Sequence, residues 1–273
     1  MNGFQRHGIA HLSPSSVNLF ARQPALWVME KLLKKRGSVG AAAYRGTSAE
    51  AGIVHGLLDP MADVAACQDV AEREFDRIAA LSGDPRKDRE RNAVPGIVNA
   101  ALPELRAYGV PDGVQVKIEK MIPGIPVPFL GYIDVQWSHH AITLDIKSQL
   151  RLSSEISPDH ARQVSIYVHG TNHEGRIAYC TPSKIGVYRL ENVAQHIADV
   201  VVIAGVMDRF LSLSDDPHVL AGLVLPDFNN FAYSDPTTAA MARDVFGFAQ
   251  PSAQAVERSP AASTAGILQQ GDF

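Results

Sequence analysis

Two cysteines, Cys67 and Cys180, in a chain of 273 residues are too few for a disulfide framework or a four-thiolate metal cluster. Both are expected to be reduced and packed. No segment approaches 18 uninterrupted apolar residues and the first 20 lack a signal-peptide pattern, so the expectation is a soluble, cytoplasmic protein without a membrane partner. There is no Gly-rich phosphate loop of the Walker type and no Gly-x-Ser-x-Gly elbow, and the ten histidines are scattered without zinc spacing. Nucleotide-triphosphate hydrolysis and serine chemistry lose support accordingly. A net charge of −4 argues against a surface coated in positive charge for nucleic acid. The distribution is uneven, however: residues 1–60 carry seven Lys or Arg against three Asp or Glu, a balance of +4, which leaves −8 for the remainder. Lys31, Lys34, Lys35 and Arg36 fall at the end of the first expected helix. Cations there suit the helix dipole whether or not they also meet a phosphate.

What the chain does have is the stretch Gly131-Tyr-Ile-Asp134-Val-Gln-Trp-Ser-His-His-Ala-Ile-Thr-Leu-Asp145-Ile-Lys147. Read with period two, Phe129, Gly131, Ile133, Val135 and Trp137 point one way and Leu130, Tyr132, Asp134 and Gln136 the other. Ile142, Leu144 and Ile146 likewise oppose Thr143, Asp145 and Lys147. A reversal centred on His139 and His140 makes residues whose numbers sum to 279 face each other. Asp134 then lies across from Asp145, with side-chain roots about 5 Å apart, and Lys147 lies one pleat further along the same face. Like charges directly opposite destabilise a sheet, so a positive partner is expected between them. A divalent cation supplies it, and oxygen-only ligation suits Mg²⁺ or Mn²⁺ better than Zn²⁺. An Asp145–Lys147 salt bridge on a solvated strand face would read the same in sequence.

The coarse organisation places this hairpin inside an α/β domain. Leu12-Ser-Pro-Ser-Ser-Val opens a helix that runs, interrupted at Pro24, toward Gly37. A second helix is expected from Thr47 to Asp59-Pro60, with further helices over 62–81 and 87–108. A strand from Val114 to Met121 precedes the hairpin. Ser157-Pro158-Asp159 opens another helix, strands follow near 176–181 and 185–190, and helices occupy 191–213 and 236–248. Residues 249–273 are rich in Ala, Ser, Gln, Pro and Gly and read as a flexible tail. The order helix, three strands, helix, strand implies a mixed or antiparallel central sheet with helices on its faces.

Four more positions attract attention. Gln163 and Tyr167 stand four apart on the Ser157 helix and share a face. Thr47-Ser-Ala-Glu50 fits a capping box, in which the glutamate only serves the helix start. Alternatively, Glu50 points at the sheet and adds an oxygen to the carboxylate pair. His55, five residues on, is a further candidate ligand or an ordinary packed histidine.

Taken together, the Leu12 to Phe20 segment, Arg45-Gly46-Thr-Ser-Ala-Glu50, Gly131-Tyr-Ile-Asp134 with Asp145-Ile-Lys147, and Gln163-Val-Ser-Ile-Tyr167 resemble the RecB-like branch of the PD-(D/E)XK nuclease superfamily, particularly its phage-type exonucleases. The resemblance covers residues 12 to 190. It implies a restriction-endonuclease-like αβββαβ core with a mixed central sheet and added N-terminal helices. One nuclease domain would span 1–248, with its core about 43–213 and a helical insertion about 62–108. Asp134, Asp145 and the backbone carbonyl of Ile146 become metal ligands, joined by Glu50 and, as in some relatives, a histidine such as His55. Lys147 becomes the residue that positions or activates the attacking water. Gln163, Tyr167 and Arg45 become nucleic-acid contacts. The implied activity is Mg²⁺- or Mn²⁺-dependent hydrolysis of DNA, as an exonuclease in phage or bacterial recombination, repair or processing. The host cytoplasm is its place if it is phage-encoded. A homo-oligomer or a separate recombination or helicase partner would complete such a system. The alternative is an inactive DNA-binding or assembly protein that keeps the fold. Gln23 stands where cluster-bearing relatives have cysteine, so no iron–sulfur cluster is expected. Asp145 replaces the commoner glutamate.

Overall fold

The computed structural model describes residues 1–37 and 39–250. The expected tail therefore lies, from residue 251 onward, outside the described residues. Five strands form one sheet in chain order: β1 (Gly113–Lys120), β2 (Phe129–Trp137), β3 (Ile142–Ser148), β4 (Glu174–Cys180) and β5 (Ile185–Arg189). Neighbours are antiparallel except β3 and β4, which run parallel. A parallel pair needs a crossover, and the helix over Pro158–Val168 supplies it. The sheet is therefore mixed, one of the two arrangements that the order of the segments allows.

The other helices are α1 (Gly3–Arg6), α2 (Pro14–Arg22), α3 (Pro24–Trp27, continued by a π turn over Val28–Leu32), α4 (Ala41–Leu58), α5 (Val64–Ile78) and α6 (Lys87–Arg106). After α7, the crossover helix, come α8 (Val193–Leu211), α9 (Pro217–Ala221) and α10 (Pro236–Phe246). No helix among the described residues is long and apolar enough to cross a membrane. Ser13 caps α2 by accepting from Ser16 N–H at 3.2 Å, and Ser157 caps α7, each with proline at the first helical position. The four-residue α1 and five-residue α9 carry too little periodicity to be foreseen.

One correction concerns α4. The sequence suggests a start at Thr47, yet the helix begins at Ala41 after Gly40. Gly40 has no side chain to cap it. The cap comes instead from Asp84, 43 residues away, whose carboxylate accepts from Ala41 N–H at 2.8 Å. Thr47 to Glu50 are thus mid-helix, and the capping box is excluded.

Two main apolar clusters flank the sheet. Phe4, Val17, Trp27, Phe129, Ile133, Ile166, Tyr167 and the inner face of α8 form one; α4, α5 and α6 with Val135, Trp137, Leu144, Ile146 and Cys180 form the other. The five β2 residues read as one face are all buried, but Phe129 and Ile133 before Asp134 join the first cluster, and Val135 and Trp137 after it join the second. Opposite Asp134 on β1, Gln115 has φ +48°, and this pair drops out of an otherwise continuous ladder.

The helix carrying Glu50 is held close to its neighbours by glycine. A Cβ at Gly52 would lie 2.6 Å from the Cys67 carbonyl oxygen and 2.8 Å from Ala71 Cβ. Gly52→Ala gains up to about 1 kcal/mol of helix propensity, but overpacking a close seam costs about 1–3 kcal/mol. The overpacking wins, and the urea midpoint of unfolding is expected to fall.

Candidate active site

The β2–β3 register is the one the sequence suggests. Val135 pairs with Leu144, Gln136 with Thr143 and Trp137 with Ile142, across a turn of 3₁₀ helix over Ser138–His140 and a left-handed Ala141. The ladder then stops, so the next pair in register, Asp134 and Asp145, flanks the point where the two strands part. With no facing carbonyl there, Ile146 N–H donates to Asp134 Oδ2 at 2.7 Å. Because N–H and C=O of one residue project to the same side of a strand, the Ile146 carbonyl also faces this fork.

Asp145 is completely buried. Its Oδ1 accepts from Gln163 Nε2 at 3.0 Å, and the same amide nitrogen donates to Tyr167 Oη at 2.9 Å. Its Oδ2 lies 2.8 Å from Lys147 Nζ yet receives no aligned hydrogen bond. The contact is a close ion pair, and it leaves further lone pairs of a buried carboxylate without a donor. Glu50 and Asp134 both reach Gln115, whose Nε2 donates to Glu50 Oε1 and stands 3.3 Å from Asp134 Oδ1. Glu50, Gln115, Asp134, Gln163 and Tyr167 line a cleft of about 400 Å³ together with Tyr132 and with Ser13 and Ser15 at the start of α2.

The site's electrostatics follow from crowding acids in a dry place. Burial raises the Asp134 carboxyl well above its ordinary range, and the negative charges of Asp145 and Glu50 push it further. Burial likewise raises Glu50, against the hydrogen bond from Gln115. For Lys147 burial acts downward, but Asp145 and Asp134 outweigh it and hold the ammonium protonated. Burial and the charge of Asp145 raise the Tyr167 hydroxyl, so it stays neutral.

Several elements fix these side chains. Leu12 joins the edge of β2, donating to Pro128 O at 2.9 Å and accepting from Leu130 N–H at 2.8 Å, which sets α2 beside the cleft. Asn18 on α2 bonds the Asp159 carbonyl at 2.8 Å and accepts from Arg162 at 2.8 Å. Lys120 of β1 donates to the Tyr167 and His169 carbonyls at the end of α7, at 3.1 and 2.8 Å. Gly131 lies under Tyr167, where a Cβ would come within 2.9 Å of the ring.

Asp134, Asp145, Lys147, Glu50, Gln163, Tyr167 and the backbone at Ile146 thus come together. Two sequence candidates do not. His55 sits about 140° around α4 from Glu50 and does not line the cleft. Arg45 is no free contact for a phosphate: it is 7% exposed, ion-paired with Glu90, and bonded to Ser148 O at 3.1 Å and Ser148 Oγ at 3.3 Å. It pins the end of β3 just beyond Lys147. Of the basic cluster, Lys34 donates to the Lys31 carbonyl at 2.6 Å and Lys35 pairs with Asp244 at 3.2 Å, as helix-end and surface cations.

Two neighbours were not legible in sequence. Gln115 needed the β1–β2 register, which an eight-residue connection between those strands does not reveal. His160 bonds Tyr179 Oη at 2.8 Å, and its pKa is lowered by burial and by nearby Lys147.

No family model matches the chain, and no curated protein matches it. A solved structure described as the crystal structure of SSO0001 is similar at 14% identity and a TM-score of 0.28, over 64% of this chain and 82% of that one. So remote a likeness carries no argument.

Two outcomes are expected. Arg45→Met leaves Glu90 buried without its partner and costs about 3–5 kcal/mol in guanidinium unfolding, while adding Glu90→Leu recovers most of that loss. The second concerns pH. Because Asp134 and Glu50 titrate higher folded than unfolded, the folded state holds more protons through the interval between those values. Metal-free stability therefore falls as pH rises through that interval and levels off above it. Lys147, being raised, withdraws its contribution only above the ordinary lysine range. Asp134→Asn is expected to raise the melting temperature of metal-free protein at about pH 8 and to flatten its decline from about pH 4.

Proposed function

We propose that the chain is a metal-dependent deoxyribonuclease of the PD-(D/E)XK type, in its RecB-like, exonuclease-bearing branch. One observation carries the reading: a fully buried Asp145, ion-paired with Lys147 and bonded to Gln163, one of the residues that line a cleft together with Asp134 and Glu50. The element order supports it as well: with α5 and α6 counted as an insertion, α4, β1, β2, β3, α7 and β4 follow the αβββαβ order of a restriction-endonuclease-like core.

The donor set fits a hard cation. Asp134, Asp145, the Ile146 carbonyl and Glu50 offer oxygen alone, and Mg²⁺ keeps several waters rather than requiring an all-protein cage. Among the described residues no three His, Cys, Asp or Glu side chains stand gathered as a finished ligand set. When bound, Mg²⁺ or Mn²⁺ would polarise the scissile phosphate and lower the pKa of a coordinated water.

The chain's own groups do the rest. Lys147, held protonated by its carboxylate neighbours, directs its ammonium at the attacking water and offsets charge that grows on the phosphate oxygens. Asp145 keeps Lys147 in place at 2.8 Å. Gln163 fixes Asp145 by one N–H, and Tyr167 orients that amide from behind. With Arg45 withdrawn into the interior, substrate contacts fall to the cleft walls: Gln163, Tyr132 and the Ser13–Ser15 start of α2.

Purified protein with Mg²⁺ is expected to degrade end-labelled linear DNA, and Asp145→Ala or Lys147→Ala to lower the rate at least about 100-fold with an unchanged circular dichroism spectrum. Full activity in Asp145→Ala rejects the site. Binding of DNA without cleavage on adding Mg²⁺ or Mn²⁺ would leave the non-catalytic DNA-binding reading instead. Digestion of linear but not closed circular DNA marks an exonuclease.

A further inference from the structure

Gln115 has no part in the motifs that brought the other site residues to notice, yet the fold spends a strained backbone on it. It lies on β1 in register with Asp134, between the regular pairs Val114–Val135 and Val116–Ile133, with φ +48°. A non-glycine residue in the left-handed region within a strand interrupts the ladder and turns its side chain out of the pleat's alternation. Here it sends the amide into the cleft, where Nε2 donates to Glu50 Oε1 on α4 and stands 3.3 Å from Asp134 Oδ1 on β2. Glu50 and Asp134 come from different elements on either side of that one nitrogen. Among the described residues, the hydrogen bond that Glu50's side chain accepts comes from Gln115.

We infer that Gln115 is a positioning residue: its amide gathers the Glu50 and Asp134 carboxylates before a divalent cation arrives, so that the ligands need not be drawn together against their mutual repulsion when it binds. A neutral N–H donor suits this task. It attracts both carboxylates, contributes no charge for the cation to oppose, and occupies only one lone pair of each acid, leaving the remaining lone pairs for the ion. A lysine at this position would neutralise the acids and compete with the cation. A hydrocarbon side chain would let the carboxylates part. The inference rests on the nuclease reading above only for the identity of the ion.

The test is Mn²⁺ binding by isothermal titration calorimetry, with thermal melts of the metal-free proteins alongside. Gln115→Gly removes the amide and accepts the left-handed backbone without strain, so the variant is expected to melt no lower than wild type. Its Mn²⁺ affinity is expected to fall about tenfold, the usual loss when a group orienting metal ligands is removed. Gln115→Asn also tolerates the backbone and keeps an amide one methylene shorter, and its affinity is expected to fall between the two. It carries the measurement should the glycine variant fail to fold. Affinity that is unchanged or tighter in a folded Gln115→Gly, or in Gln115→Asn if only that variant folds, overturns the positioning role and leaves the nuclease reading standing. Wild-type protein that binds no Mn²⁺ overturns both.

Discussion

The structure turns on a single electrostatic constraint, two carboxylates that must stand side by side where strands β2 and β3 separate. Through Val135 and Leu144 the strands are paired; one residue further they are not. Parting there leaves the N–H of Ile146 without a carbonyl partner and gives Asp134 a donor in its place, at 2.7 Å. The fork therefore satisfies one buried polar group with another and leaves the remaining lone pairs facing a cleft. An acid pair in a fully paired ladder would have had neither the donor nor the opening, and its repulsion would have weakened the sheet.

Much of the surrounding scaffold serves to hold that fork. Helix α4 reaches Glu50 to it because Gly52 and Gly56 let α4 settle closely on α5 and α6. Helix α7 brings Gln163 and Tyr167 because Lys120 holds its last carbonyls and Asn18 ties its first turn to α2. Arg45, with Glu90 behind it, fastens the end of β3 at Ser148. Each of these contacts joins elements far apart in sequence, and together they keep acids together that would otherwise move apart. The pKa of Asp134, raised by burial and by its acidic neighbours, records the cost of that arrangement. Burial of apolar residues such as Trp137, Phe129 and Leu144 on the two faces of the sheet offsets it.

Much of this was legible before any coordinates. Period-two alternation and a symmetric turn gave the β2–β3 register correctly, because side-chain pitch and a short connection leave little freedom. The caps at Ser13 and Ser157 gave two helix starts, since the capping bond spans only three residues. The α4 start differs from the one the sequence suggests for the opposite reason: its cap is Asp84, supplied from another part of the chain. Arg45 reads as a phosphate contact in sequence because its charge is visible there and its buried partner Glu90 is not. His55 is a candidate in sequence because spacing places residues around a helix but does not say which side meets the sheet.

The sequence by itself determined the local frame: the mixed α/β order, the hairpin register and the shared strand face of Asp145 and Lys147. All of these depend on periods of two or 3.6 and on bonds between residues a few positions apart. Tertiary structure alone decided that the β2–β3 ladder ends at Asp134, that Glu50 meets Asp134 through the amide of Gln115, and that Arg45 turns inward to Glu90. Those outcomes depend on which distant segments share a volume from which water is excluded, and no periodicity along the chain encodes that.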